Sequence, residues 1–179
     1  IAERGKLLYA PDVYMDKIAL GPGYPAGTIN IDATPTENLN AVAKAKGCKV
    51  SEISTCVMDR SRHAKLIEEI RAAGAAIRLI GDGDVAGIIH TTDPDETGID
   101  LYMGIGGAPE GVLAAAALRC MGGQMQGRLI LDTPEKEARA AKMGVDDPTK
   151  AYSMEEMAQG DVLFAATGVT DGNMLRGVS

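Results

Sequence analysis

The sequence predicts an α/β fold, a mixed or mostly parallel sheet flanked by helices, and three observations carry that expectation. Short runs rich in β-branched residues, at 53–58, 76–80 and 99–103, alternate with stretches whose apolar residues recur at helical spacing. Helix-start signatures precede several of those stretches. The composition, with 22 glycines, 3 % aromatics, no Trp and one Phe, supplies an interior of Ala, Ile, Leu, Val and Met crossed by tight turns.

In chain order, Thr34-Pro35-Thr36-Glu37 combines an N-cap, a proline at the first helical position and a glutamate at the third. With Leu39, Val42 and Ala43 behind it, this predicts a helix running to Gly47, a residue suited to the C-terminal cap. Residues 53–58 follow as a strand, and Leu66, Ile67 and Ile70 keep helical spacing until Gly74. The unit then repeats: a strand at 76–80, the loop Gly81-Asp82-Gly83-Asp84, a short helix, a strand at 99–103, a glycine loop and a helix at 109–121. A strand at 126–131, a helix at 134–143, a capping box at Ser153-Met154-Glu155-Glu156 and a buried strand at 161–167 complete the prediction. No fixed-period repeat, low-complexity tract or Ser/Gly linker interrupts residues 1–179, which read as a single α/β domain.

A formal charge of -7 argues against nucleic acid or an anionic membrane as partner, so an anionic ligand has to be captured by a local cluster. Cys48, Cys56 and Cys120 are odd in number and lack close-set ligand spacing, which predicts reduced, mostly buried thiols. No apolar run approaches the roughly 18 residues that span a bilayer, and no basic leader follows Ile1, so a cytoplasmic location is expected. A start at Ile1 instead of Met reads as a start inside a longer protein.

Three loops carry candidate chemistry. Arg60-Ser61-Arg62-His63 falls between a strand end and a helix start, where a phosphate could sit between two guanidinium groups and outward-pointing amides. The alternative is a pair of solvated surface arginines beside Asp59, with His63 an ordinary helix-start residue. Asp82 and Asp84 flank Gly83 at a strand's carboxyl end, where their carboxylates could accept sugar hydroxyls or hold a hard cation. Asp84 capping the next helix is the structural alternative. Gly104-Ile105-Gly106-Gly107-Ala108-Pro109-Glu110-Gly111 resembles a dinucleotide loop only loosely, because Pro109 and Glu110 interrupt the glycine rhythm and a first-turn carboxylate repels a pyrophosphate. Glu110 reads either as a metal ligand or as an acid that suits the helix dipole.

Several stretches together resemble class II fructose-1,6-bisphosphatases, the bacterial type that includes enzymes also cleaving sedoheptulose 1,7-bisphosphate. These are Ala10-Pro11-Asp12-Val13-Tyr14-Met15-Asp16-Lys17, Gly83-Asp84-Val85-Ala86, residues 104–117, and Ala165-Ala166-Thr167-Gly168-Val169-Thr170-Asp171-Gly172, in matching order over essentially the whole chain. The resemblance implies the C-terminal part of a layered α/β/α sugar-phosphatase fold, a sugar bisphosphate substrate and a homo-oligomer, either dimer or tetramer. It also implies hydrolysis of a 1-phosphate with Mg²⁺ or Mn²⁺, in gluconeogenesis or the Calvin cycle. It makes Tyr14 a substrate-binding tyrosine, Arg60, Ser61 and Arg62 a substrate-phosphate loop, and Asp82, Gly83 and Asp84 a loop that holds the sugar. Gly107 matches a backbone contact to substrate and Glu110 a metal ligand. Many relatives have Lys where this chain has Arg60, a change that keeps the charge and alters the phosphate geometry. The family's Asp-Pro-Ile-Glu-Gly-Thr type motif, which with upstream acids holds most of the metal site, is absent, and the chain looks like the latter half of such an enzyme. A non-catalytic sugar-phosphate or nucleotide-binding module on the same sheet is the alternative.

Overall fold

The computed structural model describes residues 1–172 and 174–178. The strands Tyr14–Leu20 (β1), Ser54–Met58 (β2), Ala76–Ile80 (β3), Leu101–Gly107 (β4), Gln124–Leu129 (β5) and Ala151–Ser153 (β6) form one sheet in the order β3-β2-β4-β1-β5-β6. Around it lie helices Pro35–Lys46 (α1), Ala64–Ala73 (α2), Asp84–Ile89 (α3), Pro94–Thr97 (α4), Ala108–Met121 (α5), Pro134–Lys142 (α6) and Met154–Met157 (α7).

The local signals act where the sequence places them. The Thr34 hydroxyl accepts the Glu37 N–H at 3.2 Å while the Glu37 carboxylate accepts the Thr34 N–H at 2.7 Å, so the start of α1 is closed reciprocally. Gly47 and Gly74 end α1 and α2 in the left-handed conformation. Ser153 and Glu156 form a second capping box at α7.

The sheet is mixed. β2 runs parallel to both β3 and β4, whereas β1 is antiparallel to β4 and β5, and β5 to β6. Because β1 runs against β4, its first residue lies opposite the last residue of β4, Tyr14 against Gly107. The amino end of β1 therefore meets the carboxyl ends of β2, β3 and β4 at one edge of the sheet.

Four stretches differ from the sequence prediction. The glycine-rich stretch from Gly104 to Gly107 is strand, not loop, because β1 pairs with it residue by residue from Lys17↔Gly104 to Tyr14↔Gly107. β1 and β6 carry too little apolar alternation to stand out: β1 reads Tyr-Met-Asp-Lys-Ile-Ala-Leu, with both ionisable residues inside it. Residues 161–167 do not form a buried strand. They make one isolated bridge, Ala2↔Val162, and leave Leu163 70 % exposed, since an apolar run without a neighbouring strand to pair with has no ladder to join.

The core has two halves, one on each face of the sheet. Met15 and Ala19 of β1 join Cys56, Tyr102, Ala114, Ala115, Leu118 and Met157 on the face covered by α3, α5 and α7. Ile18 and Leu20 join Leu39, Val42, Val57, Ile67, Ile70 and Leu101 on the face of α1 and α2. All three cysteines are free thiols, but only Cys56 is buried; Cys48 is half-buried and Cys120 is exposed, its Sγ 3.3 Å from the Val162 carbonyl. Burial pushes the Cys56 thiol up to about 12. Among the described residues no helix is long and apolar enough to cross a membrane.

Because the α1 cap is satisfied from both sides, Thr34→Ala is expected to destabilise the chain by about 1 kcal/mol, read as a lower urea midpoint at unchanged slope. An unchanged midpoint would show that the cap contributes nothing to stability.

Candidate functional site

The edge where β1 meets the ends of β2, β3 and β4 collects most of the residues singled out in the sequence. After β2, residues Ser61–His63 turn once as a 3₁₀ helix and lead into α2. His63 is buried with both ring nitrogens used: Nδ1 is 2.8 Å from the Met58 carbonyl and Nε2 accepts the Ile105 N–H at 2.8 Å. Since a main-chain N–H points at Nε2, the proton sits on Nδ1, and the imidazole pins the arginine loop to β4. Burial holds its pKa below the ordinary histidine range, and the neighbouring Arg62 charge adds to that.

Arg62 bridges elements. Its Nε and one terminal nitrogen donate to the Ile105 carbonyl at 3.0 and 2.9 Å, and its guanidinium carbon lies 4.9 Å from the centre of the Tyr14 ring. Arg60 makes only a local bond, donating to the Asp59 carbonyl at 3.0 Å, and both Arg60 and Ser61 are exposed. The two arginines therefore differ: Arg62 is docked against the site's frame, and Arg60 projects from the loop.

After β3, Gly83 sits at φ 83°, a left-handed conformation that glycine adopts without strain, and is the N-cap of α3. Asp84 is consequently the first residue of the helix and not its cap, as its side chain is turned inward. It is buried and forms an ion pair with Lys17, whose ammonium also donates to the Gly107 carbonyl at 3.0 Å. Burial pulls the Lys17 pKa down and the Asp84 carboxylate opposes that pull. Asp82 stays exposed, its Oδ1 accepting the Gly83 N–H at 2.9 Å.

At the end of β4, Gly106 leaves room for this pair: a Cβ there would fall 2.2 Å from Asp84 Oδ2 and 2.9 Å from Lys17 Nζ. A Cβ at Gly107 would fall 1.6 Å from Glu110 Oε2, so the exposed Glu110 carboxylate folds back from the first turn of α5 over the Gly107 backbone.

Tyr14, Arg62, Asp84, Gly107 and Glu110 are thus linked through shared contacts, while Arg60, Ser61 and Asp82 flank them on their own loops. The cluster forms an open face. A cavity of about 380 Å³ lies elsewhere, beside β3 between Arg78, His90, Asp93 and Glu96. Among the described residues no group of three or more His, Cys, Asp or Glu side chains converges as a metal cage, so Glu110 offers one hard-oxygen donor without companions.

The sequence model described as bacterial fructose-1,6-bisphosphatase, glpX-encoded, matches residues 1–179. The chain belongs to this bisphosphatase family. It is 46 % identical over 191 residues to the D-fructose 1,6-bisphosphatase class 2/sedoheptulose 1,7-bisphosphatase of Synechococcus sp. (strain JA-3-3Ab), covering 99 % of this chain and 54 % of that protein. The proteins of the same description from Trichodesmium erythraeum (strain IMS101) and Crocosphaera subtropica (strain ATCC 51142 / BH68) are 45 % and 46 % identical, again over 99 % of this chain and 55 % of theirs. The chain spans about half the length of the curated relatives it matches.

Within this bisphosphatase-family chain, sequence reasoning overlooked Lys17 and underrated His63. Lys17 stood inside one of the stretches that carried the resemblance, yet only Tyr14 was singled out there. A lysine spaced two residues from Met15 and from Ala19, on the same side of the strand as both, was the available signal of an inward-facing cation.

His63 also sets a pH response. The unfolded chain binds a proton on this residue near its ordinary value of about 6.5, and the folded chain only at lower pH, so stability is full above that value and declines as pH falls below it. Urea midpoints measured from about pH 7.5 to about pH 5.5 should fall with pH, and the fall should be shallower in His63→Gln. Equal slopes in the two proteins would remove His63 as the cause.

Proposed function

We propose that this chain is the substrate-holding, C-terminal portion of a metal-dependent phosphatase that removes the 1-phosphate of fructose 1,6-bisphosphate, with sedoheptulose 1,7-bisphosphate as a second substrate. The observation that carries the reading is the convergence of Tyr14, Arg62, Asp84, Gly107 and Glu110 at the carboxyl ends of three parallel strands, the edge where open α/β sheets bind ligands. Membership of the bisphosphatase family and the printed names of the relatives support the substrate class.

In this reading Arg60 and the free face of Arg62 take the phosphate distal to the cleaved bond, bound charge to charge and by guanidinium N–H donors. Tyr14, already stacked on Arg62, closes that side of the sugar. Asp82 and the loop around Gly83 accept sugar hydroxyls, and the Gly107 backbone allows the sugar to approach closely. Glu110 is one ligand to Mg²⁺ or Mn²⁺, which when bound polarises a phosphoryl oxygen and eases departure of the alkoxide. The remaining ligands are not among the residues described here, so the chemistry assigned to this chain is positioning: it fixes phosphate and sugar so that the scissile bond has one orientation. The site would work in the cytoplasm, on a soluble metabolite.

The reading is tested by calorimetry on the 179-residue chain with fructose 6-phosphate and fructose 1,6-bisphosphate, each with and without Mn²⁺. Both ligands are expected to bind, and Arg60→Ala and Asp82→Ala should each weaken binding about tenfold. Both residues are exposed with contacts only inside their loops, so stability should stay within about 0.5 kcal/mol of the parent. Parent-like affinity in both variants would overturn the assignment. Tight binding that ignores metal for the bisphosphate as well would instead support a non-catalytic sugar-phosphate module.

A further inference from the structure

Lys17 is the residue whose placement the reading above does not use. Its side chain has no exposed surface, although it lies in the middle of a strand whose inward neighbours Met15 and Ala19 pack in the core. A lysine in that position is rare, because removing an ammonium from water is costly and is only partly offset by pairing it. Its two partners belong to two different parts of the site: Asp84 in the first turn of α3, and the Gly107 carbonyl at the end of β4. These are 67 and 90 residues away along the chain, so one ammonium bridges the acidic loop and the end of β4. Neighbouring residues are shaped to the same end. A Cβ at Gly106 would strike both members of the pair, and one at Gly111 would fall 3.2 Å from the Lys17 stem.

We propose that Lys17 is a positioning residue: a buried ammonium that fastens the sugar loop to the end of β4, so that Asp82-Gly83-Asp84 and the Gly107–Glu110 turn are held as one rigid body. This rests on the substrate reading given above for those two loops. Lys17 touches no ligand. It acts by fixing the Asp84 carboxylate and the Gly107 peptide plane, and through them the loop that faces the sugar and the helix start that carries Glu110. Two loops that differ by even small shifts lose the joint geometry a bound sugar phosphate needs.

The test compares the parent chain with Lys17→Met, which keeps the unbranched stem of the side chain and removes its charged end, by two measurements. Amide hydrogen exchange should rise at residues 82–86 and 107–111 together, while α1 and β5 keep their protection. Calorimetry should show fructose 6-phosphate bound about tenfold more weakly. Lys17→Met joined to Asp84→Asn should bind no more weakly than the worse single variant, since both changes break the same fastening. Where Lys17→Met alone does not fold, that double variant, which leaves no buried charge unpaired, carries the exchange measurement. Parent-like exchange in the two loops overturns the proposal. So does parent-like affinity in a Lys17→Met protein whose only change is a lower melting temperature, because that is the behaviour of a merely structural lysine. If the parent itself does not bind fructose 6-phosphate, the substrate reading fails and the exchange comparison alone decides for or against the fastening.

Discussion

The antiparallel insertion of β1 between β4 and β5 is the constraint on which the rest of this structure depends. Three parallel strands alone would bring their carboxyl ends, and the loops after them, to one edge of the sheet, as α/β proteins do. Running β1 the other way adds an amino end to that edge, with Tyr14 opposite Gly107. Side chains alternate along a strand, so the same register sends Met15, Lys17 and Ala19 to the α5 face and Ile18 and Leu20 to the α1 and α2 face. A slip of one residue would turn Lys17 towards the face of Leu39, Val42 and Ile70 and away from Asp84. Pairing on both sides of β1, seven residues long with β4 and six with β5, makes such a slip costly.

Around that strand the site is built from interior contacts more than from surface ones. His63 is locked between the Met58 carbonyl and the Ile105 amide, Arg62 is locked on the Ile105 carbonyl, and Asp84 is locked on Lys17. The first two tie the arginine loop to β4, and the third ties the acidic loop to it through Lys17 and the Gly107 carbonyl; the last four residues of β4 contain three glycines. Glycine there is a demand of the neighbours: at Gly106 the space a methyl group would need is filled by a carboxylate and an ammonium. The strand end is therefore bare so that charged groups from β1 and α3 can lie against its backbone, in a sheet whose centre is otherwise apolar.

How much of this was legible in the sequence follows from whether the signal was local. The start and end of α1, the 3.6-residue spacing in α2, the β3 run and the capping box of α7 are set by neighbours in sequence, and each is found where it was read. The loops carrying Arg60 to His63 and Asp82 to Asp84 were legible for the same reason. β1 was not, because its pairing partners lie about 85 and 110 residues away and its charged residues hide the alternation that pairing creates. The glycines of β4 read as a loop for the complementary reason: only the partner strand makes them a ladder. Residues 161–167 read as a strand on apolar content alone, and content without a partner does not make one.

The site residues sort along the same line. Exposed candidates such as Arg60 and Asp82 were identifiable by residue type, since an exposed charge beside a strand end offers itself to a ligand whatever lies beneath it. Asp84 has the same residue type and the opposite environment, and nothing in Asp-Gly-Asp says which carboxylate turns inward. The left-handed Gly83 decides it by capping α3 and making Asp84 the first residue of the helix, with that side chain towards Lys17 and Asp82 in solvent. Two acids two residues apart thereby acquire different surroundings: Asp82 lies in solvent, and Asp84 lies buried against Lys17 and Gly106.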